Sequence, residues 1–132
     1  MRILIVEDDA DIRELVELAL TDGGYDVLTA PDGASALAVV QQHPPDLILL
    51  DAHLPRVTGE EFARSYTDQS GSPAPIVLLT ASADAAERSA QIGAVGYVAK
   101  PFDLDDILEV VGRYRRSDTH ADGGAQAIAA EP

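Results

Sequence analysis

Six residues with chemically useful side chains directly follow short apolar runs in the sequence. Three acids follow the first run, and single polar residues follow three later runs; in chain order they are Glu7, Asp8, Asp9, Asp51, Thr80 and Lys100. Carboxylates gathered in this way can bind a hard cation or attack a phosphoryl group. Lys100 is the only lysine in the chain, and its ammonium group can neutralise negative charge beside them.

Each of these residues also has an ordinary structural explanation. Asp9 stands nearest to a predicted helix start, where it is expected to cap that helix. Asp51 taken alone fits a turn, Thr80 fits a strand, and Lys100 fits a solvated strand end. A helix cap accounts for one of the acids after the first run but not for all three. The recurrence of polar residues at four strand ends therefore favours a shared site.

The elements that position these residues alternate between strand and helix. Continuous runs of Val, Ile and Leu at Ile3–Val6, Leu47–Leu50 and Ile76–Leu79 are typical of strands covered on both faces. A weaker alternating run begins at Tyr25, and a fifth short strand leads up to Ala99. Five rounds of strand then helix predict an α/β fold with a parallel sheet, helices on both faces and right-handed crossovers. Because ligands bind beyond the carboxyl ends of such strands, the six side chains are expected at one edge.

The predicted helices carry their own signals. The first has an apolar face that ends before Gly23–Gly24 and consists of Ile12, Leu15, Val16, Ala19 and Leu20. Thr58 and Glu61 form a capping-box signature at the start of the third helix. The fourth, over Ala83–Ile92, is rich in alanine and only weakly amphipathic, and Asp103 is expected to cap the fifth.

Composition and charge exclude several classes of protein. The chain has 132 residues, of which 23 are acidic and 9 are Lys or Arg, giving a net charge of −14, and it has no cysteine. This charge repels nucleic acid and suits a cation or a basic protein partner, and the lack of cysteine excludes disulfide scaffolds and thiolate metal sites. The short apolar runs predict neither a membrane span nor a secretory signal, so we expect a cytoplasmic protein. We divide the chain into one domain, 1–116, and a disordered tail or truncated linker, 117–132.

Four segments of the sequence together match one known family. They are residues 3–9 (Ile-Leu-Ile-Val-Glu-Asp-Asp), 46–51 with Leu54, Pro55 and Gly59 after them, 78–81 (Leu-Leu-Thr-Ala), and 96–102 (Gly-Tyr-Val-Ala-Lys-Pro-Phe). Over residues 1–116 the sequence resembles the receiver domain of bacterial two-component response regulators. The resemblance implies a flavodoxin-like (βα)5 three-layer sandwich whose parallel five-stranded sheet has the order 2-1-3-4-5.

The resemblance also implies a role for each residue at the predicted edge. Asp51 would be the phosphoacceptor, forming an aspartyl phosphate with a phosphoryl group from a sensor histidine kinase or a phosphotransfer protein of a phosphorelay. Asp8, Asp51 and the backbone carbonyl of His53 would bind Mg²⁺ or Mn²⁺, with Glu7 acting through water. Lys100 would pair with Asp51 and later with the phosphoryl oxygens. The chain would promote only its own Mg²⁺-dependent phosphorylation and dephosphorylation and would otherwise not be an enzyme.

A switch is implied by the same resemblance. Thr80 would donate its hydroxyl to the phosphoryl group and Tyr97 would turn inward, changing the face built from the fourth helix, fifth strand and fifth helix. A downstream protein partner would read that face, with a dimer on phosphorylation as one form of output and no direct binding to nucleic acid. The peptide bond between Lys100 and Pro101 would be cis and would aim the lysine inward.

Two positions beside the site leave alternatives open. By resemblance, His53 and Ser82 tune how long the phosphoryl group survives, and His53 would either orient a hydrolytic water or shield the phosphate. The alternative for His53 is an ordinary solvent-exposed loop histidine. The domain itself is either free-standing or part of a larger regulator.

Three other functions fit the residues less well. A hydrolase of the haloacid dehalogenase type would carry a second Asp two residues after the nucleophile, where this chain has His53. A flavodoxin would need a phosphate-binding loop rich in Ser, Thr and Gly where three acids stand here. A pseudo-receiver that is never phosphorylated would have no need of all the acids together with Thr80 and Lys100.

Overall fold

Five strands alternate with five helices in a computed structural model that describes residues 1–54, 58–81 and 83–119. The strands are β1 (Arg2–Val6), β2 (Asp26–Ala30), β3 (Leu47–Asp51), β4 (Ile76–Thr80) and β5 (Gly96–Ala99). The helices are α1 (Ala10–Asp22), α2 (Gly33–Gln42), α3 (Gly59–Gln69), α4 (Ala85–Gln91) and α5 (Leu104–Thr119).

The strands form one parallel sheet in the order β2-β1-β3-β4-β5. Ile3 pairs with Leu47 in β3, and Ile48 pairs with Ile76 in β4, so the three most apolar runs lie side by side. This arrangement confirms the α/β fold class and the strand order expected from the sequence. It also brings the carboxyl ends of β1, β3, β4 and β5 to one edge.

Two hydrophobic layers cover the sheet, and successive residues of each strand alternate between them. One layer joins α2 and α3 to strand residues that include Leu4, Val6, Ile48, Leu50 and Leu78. The other joins α1 and α5 to strand residues that include Ile3, Ile5, Leu47, Leu49, Val77 and Leu79. Because both faces are buried, these strands contain continuous apolar runs instead of alternating ones.

Two helix starts are capped as the sequence predicts. Asp9 precedes α1, and its Oδ1 accepts hydrogen bonds from the backbone N–H groups of Asp11 and Ile12. Thr58 and Glu61 form a reciprocal capping box at the start of α3. Each cap satisfies backbone donors that a helix start would otherwise leave without partners. The caps therefore fix where α1 begins after β1 and where α3 begins after β3.

One part of the predicted α1 face is wrong. Val16 and Leu20 are fully buried as expected, but Leu15 is 53% exposed. Leu15 lies at the rim of a groove of about 490 Å³ that separates α1 from the loop containing Pro101 and Phe102. Leu15 faces a loop and not a packed helix, so only part of its side chain is buried.

The C-terminal helix continues beyond the domain boundary expected at residue 116 and is described as far as Thr119. The remainder of the predicted tail, 120–132, lies outside the described residues. Within the described ranges, none of the helices combines the length and apolar character needed to cross a membrane.

Candidate functional site

The polar residues at the strand ends meet at one edge of the sheet. Asp51 is the last residue of β3 and Thr80 the last of β4, while Glu7 directly follows β1 and Lys100 directly follows β5. The backbone N–H of Lys100 donates to the carbonyl of Thr80 at 2.8 Å, extending the ladder by one residue beyond the strands. Four distant parts of the chain thus contribute to a single site.

The lysine bridges two buried carboxylates. Lys100 Nζ lies 3.0 Å from Glu7 Oε1 and 3.3 Å from Asp51 Oδ1. The side chains of Glu7 and Asp51 are only 1% and 3% exposed. Two acids this far from water need a positive partner, because a buried charge without one is costly. The expected pairing of Lys100 with Asp51 is present, and the equally close pairing with Glu7 is an addition that the sequence did not indicate.

Burial and charge shift the acid–base behaviour of this group. Burial raises the pKa of Glu7 to about 7, and the neighbouring Asp51 adds to the rise. The hydrogen bond from Lys100 lowers this pKa but does not outweigh burial. Burial also works against the charge on Lys100, but Glu7 and Asp51 outweigh it and hold the pKa of Lys100 above its ordinary value. Without further positive charge, Glu7 therefore holds a proton for only part of the time near neutral pH.

A third carboxylate completes an all-oxygen cluster. One carboxylate oxygen from each of Glu7, Asp8 and Asp51 lies within 4.8 Å of the others, with Asp8 exposed to solvent. This donor set suits a hard divalent cation such as Mg²⁺, which prefers carboxylates and keeps several waters. The exposed Asp8 leaves the cluster open on one side. The residues that the structure brings together therefore fit the cation expected from the sequence.

The β1–α1 loop is tied into this cluster by hydrogen bonds. The backbone N–H of Asp9 donates to Glu7 Oε2 at 3.2 Å. Arg13, in the first turns of α1, donates from Nη1 to the backbone carbonyl of Glu7 at 2.8 Å. The carboxylate and the backbone carbonyl of Glu7 are thus both held by groups that follow it in the chain.

The segment after Asp51 is closely packed against α3. The backbone N–H of His53 donates to Asp51 Oδ1 at 3.1 Å, while the His53 residue is exposed. A Cβ added at Gly59 would stand 3.1 Å from the backbone carbonyl oxygen of Asp51, a distance at which a neighbour must give way. Glycine at the start of α3 therefore lets the helix approach the backbone of Asp51 closely.

The residues expected to take part in switching lie in different environments. Thr80 is fully buried at the end of β4, whereas Tyr97 is 37% exposed on β5. The peptide bond between Lys100 and Pro101 is cis. Ser82 lies outside the described residues. The ring-bearing residue Tyr97 is therefore in contact with water, whereas Thr80 is not.

Sequence reasoning missed three features of this edge. The contact between Lys100 and Glu7 joins residues 93 apart in the chain, and no local pattern predicts it. Gly59 was noted only as part of a motif, although its proximity to Asp51 is what requires glycine. Arg13 was passed over because it is an arginine on a polar helix face, and its reach back to the Glu7 carbonyl is visible only in three dimensions.

Comparison with known proteins identifies a family. A family description of the response regulator receiver domain matches residues 3–112 of this chain. The response regulator MprA of Mycolicibacterium vanbaalenii is 37% identical over 131 residues, covering 98% of this chain and 56% of the relative. The probable transcriptional regulator ycf27 of Galdieria sulphuraria is 35% identical over 132 residues, covering 93% of this chain and 51% of the relative. This chain thus spans about half the length of these curated relatives.

Solved structures give the same family and the same fold. The chemotaxis response regulator CheY4 of Vibrio cholerae superposes with a TM-score of 0.80 at 35% identity, covering 86% of this chain and 97% of that one. NtrX of Brucella abortus superposes with a TM-score of 0.81 at 31% identity, covering 91% of this chain and 28% of that one. The chain belongs to the family of two-component response regulator receiver domains.

Proposed function

We propose that this domain accepts a phosphoryl group on Asp51 from a phosphohistidine of a sensor kinase or phosphotransfer protein, and that the modification changes its α4–β5–α5 face. The observation that carries the proposal is the buried bridge of Lys100 between Glu7 and Asp51, beside the open carboxylate of Asp8. Phosphoryl transfer asks for positioning and charge neutralisation more than for covalent chemistry, and this edge offers both.

Asp51 is the nucleophile of the proposed reaction. One carboxylate oxygen attacks phosphorus, the phosphorus–nitrogen bond of the donor breaks, and the departing imidazole of the donor takes up a proton. The other carboxylate oxygen, Oδ1, is kept in place by two donors, Lys100 Nζ and the backbone N–H of His53. A fixed carboxylate loses little entropy on reaching the attacking geometry.

Lys100 supplies mobile positive charge in the proposal. At rest it contacts Glu7 and Asp51 and offsets one negative charge, and after transfer its ammonium group follows the negative charge to the phosphoryl oxygens.

Receiver domains bind Mg²⁺ in an acidic pocket, and Glu7, Asp8 and Asp51, with the backbone carbonyl of His53, would hold the ion here. When bound, Mg²⁺ or Mn²⁺ supplies positive charge against the oxygens of the transferring group. Glu7 would act through water, and its ionised form is the one that favours the cation. Binding of the ion therefore favours release of the proton that Glu7 holds for part of the time near neutral pH.

The proposed switch couples the site to an exposed face. An aspartyl phosphate adds about 1.5–2 negative charges with strong acceptor oxygens. The hydroxyl of Thr80, the last residue of β4, turns to one of these oxygens, and the ring of Tyr97 moves inward behind it. In this proposal, His53 and Ser82 tune how long the phosphoryl group survives.

The output of the domain acts through protein contacts. A sensor kinase or phosphotransfer protein supplies the phosphoryl group, and a downstream partner or effector domain reads the changed face, including through phosphorylation-dependent dimers. Beyond its own phosphorylation and dephosphorylation, the domain turns over no substrate. Its strong negative charge supports a protein partner over nucleic acid.

Labelling by a small phosphodonor tests the proposal directly. Incubation with acetyl phosphate and Mg²⁺ should add the mass of one phosphoryl group to the intact chain, and Asp51→Asn should abolish the addition. Asp68→Asn is the matched control, since Asp68 is an exposed acid on α3 away from the cluster. Labelling of Asp51→Asn at the level of the control would overturn the assignment.

The same samples report the switch. Hydrogen exchange should change on phosphorylation within residues 83–119, which contain the α4–β5–α5 face. It should remain unchanged in Asp51→Asn treated identically. Phosphorylation that leaves exchange in this region unaltered would remove the switch from the proposal while leaving the acceptor in place.

A further inference from the structure

We propose that Arg13 is a positioning residue for the acidic cluster, holding the peptide between Glu7 and Asp8 so that the Asp8 carboxylate faces Glu7 and Asp51. This inference rests on the proposed function, because it concerns the cation that the cluster would bind. The observation behind it is the 2.8 Å hydrogen bond from Arg13 Nη1 to the backbone carbonyl of Glu7.

The geometry of the β1–α1 loop shows why that carbonyl matters. The backbone N–H of Glu7 is bonded to the carbonyl of Ala30 in β2, which fixes the start of the residue. Its carboxylate accepts from Lys100 and from the N–H of Asp9, which fixes its side chain. Arg13 fixes the remaining polar group, the carbonyl, and thereby the orientation of the peptide plane that leads into Asp8.

The rigid part of this arrangement is α1. The backbone N–H of Arg13 donates to the carbonyl of Asp9 at 2.9 Å, and Asp9 caps the same helix through its side chain. The guanidinium of Arg13 therefore reaches back across the loop from a fixed base. A planar guanidinium donates in fixed directions and keeps its charge, which suits it to hold one peptide carbonyl.

A positioning role and a purely electrostatic role for Arg13 predict opposite changes in Mg²⁺ affinity when the arginine is removed. A permanent positive charge near the cluster repels a divalent ion, so its removal should tighten Mg²⁺ binding if charge were its main contribution. Positioning predicts that removal weakens binding, because Asp8 then samples orientations away from the other two carboxylates. Groups that orient metal ligands commonly change affinity by about 10- to 100-fold when they are lost.

The test compares two substitutions at Arg13 with the same two at Arg64. Arg64 is an exposed arginine on α3, so Arg64→Met and Arg64→Lys make the same change in net charge away from the loop. Affinity is measured by calorimetric titration with Mg²⁺ alone and by electron paramagnetic resonance of free Mn²⁺. We expect Arg13→Met and Arg13→Lys each to weaken binding by about 10-fold or more, and both Arg64 variants to bind as the unsubstituted protein does.

A second readout needs no metal. In metal-free protein, hydrogen exchange at the Asp9 amide, which donates to Glu7 Oε2, should accelerate in both Arg13 variants and in neither Arg64 variant. Urea unfolding of the metal-free proteins separates this local loosening from a general loss of stability. If Arg13→Met fails to fold, the lysine variant still decides the question.

The outcomes separate this inference from the function on which it rests. Unchanged or tighter Mg²⁺ binding in Arg13→Met would overturn the positioning role, because charge alone predicts that result. Full affinity in Arg13→Lys would overturn it as well, because the directed hydrogen bond from a planar guanidinium would then make no difference to the cluster. Failure of the unsubstituted protein to bind Mg²⁺ and to accept a phosphoryl group would instead overturn the proposed function together with the inference.

Discussion

The central strands and the α4–β5 flank hold their residues in contrasting ways. The central strands are β1, β3 and β4, and the α4–β5 flank comprises residues 83–99. Every residue of β3 and β4 is buried, whereas β5 pairs only with β4 and has a single buried residue, Val98. Among the described residues, α4 has seven residues, of which Ala85 and Ser89 are buried, and neither belongs to the two core layers.

This contrast separates fixed chemistry from a changeable surface. Glu7 and Asp51 are anchored on strands whose neighbours are packed on both faces, so their mutual geometry is stiff. Within the flank, α4 is joined to β5 by the hydrogen bond from Ser89 Oγ to the carbonyl of Gly96 at 3.2 Å. Regions with few buried contacts open at low free-energy cost. The proposed function, in which reacting atoms are held still while the outer face changes, needs both kinds of construction.

A matched pair of isoleucine substitutions tests the contrast most strongly. Ile48 is fully buried in β3, whereas Ile92 directly follows α4 and is half-buried against the same core layer. We expect Ile48→Ala to lower the free energy of unfolding by about 2–5 kcal/mol, through lost transfer energy and a cavity. Ile92→Ala should lower it by a smaller amount, about 1–2 kcal/mol, because part of that side chain already contacts water. Urea unfolding measures both, and equal losses would contradict the proposed difference in packing.

The pH dependence of metal-free protein tests the buried charge of the centre. Burial raises the pKa of Glu7 from 4.5 to about 7, so between these values the folded state binds more protons than the unfolded state. Its contribution to stability is full below pH 4.5 and is lost as the pH rises to about 7. At about 1.4 kcal/mol per pKa unit, the loss is at most about 3.5 kcal/mol.

Urea unfolding in the presence of a chelator, at steps from pH 4.5 to 8, measures this loss. Glu7→Gln is the matched variant, because an amide of nearly the same shape does not titrate. The difference between the two pH profiles isolates Glu7 from the other acids. Profiles that run parallel over this range would show that Glu7 titrates normally. Excess Mg²⁺ should reduce the difference, since a bound cation favours the ionised carboxylate.

The smallest effect is expected at the attachment of α4. Ser89→Ala removes the hydroxyl that donates to the carbonyl of Gly96, and we expect a loss of about 1 kcal/mol together with faster hydrogen exchange in α4. Ser65→Ala on α3 is the matched control, with the same change on a half-buried helix residue. If α4 exchanges at the same rate in both variants, Ser89 does not attach the helix and the flank is held by other contacts.

Much of the fold follows from local patterns in the sequence. The runs at Ile3–Val6, Leu47–Leu50 and Ile76–Leu79 predicted the three central strands, and the capping box at Thr58 predicted the start of α3. Leu15 was misplaced because helical periodicity describes a helix alone, whereas burial depends on what packs against it. The register of the strands and the approach of Gly59 to Asp51 also needed the assembled sheet.

The sequence by itself determined which side chains gather at one edge, because parallel strands with short connections must place their carboxyl ends on the same side. Only the tertiary structure decided how those side chains pair. Lys100 bridges Glu7 and Asp51, and Arg13 holds the Glu7 carbonyl, through distances of a few ångströms that depend on packing across the whole sheet. Adjacency at an edge is a matter of chain direction, but hydrogen bonds and shifted proton affinities depend on atomic separation and on the exclusion of water.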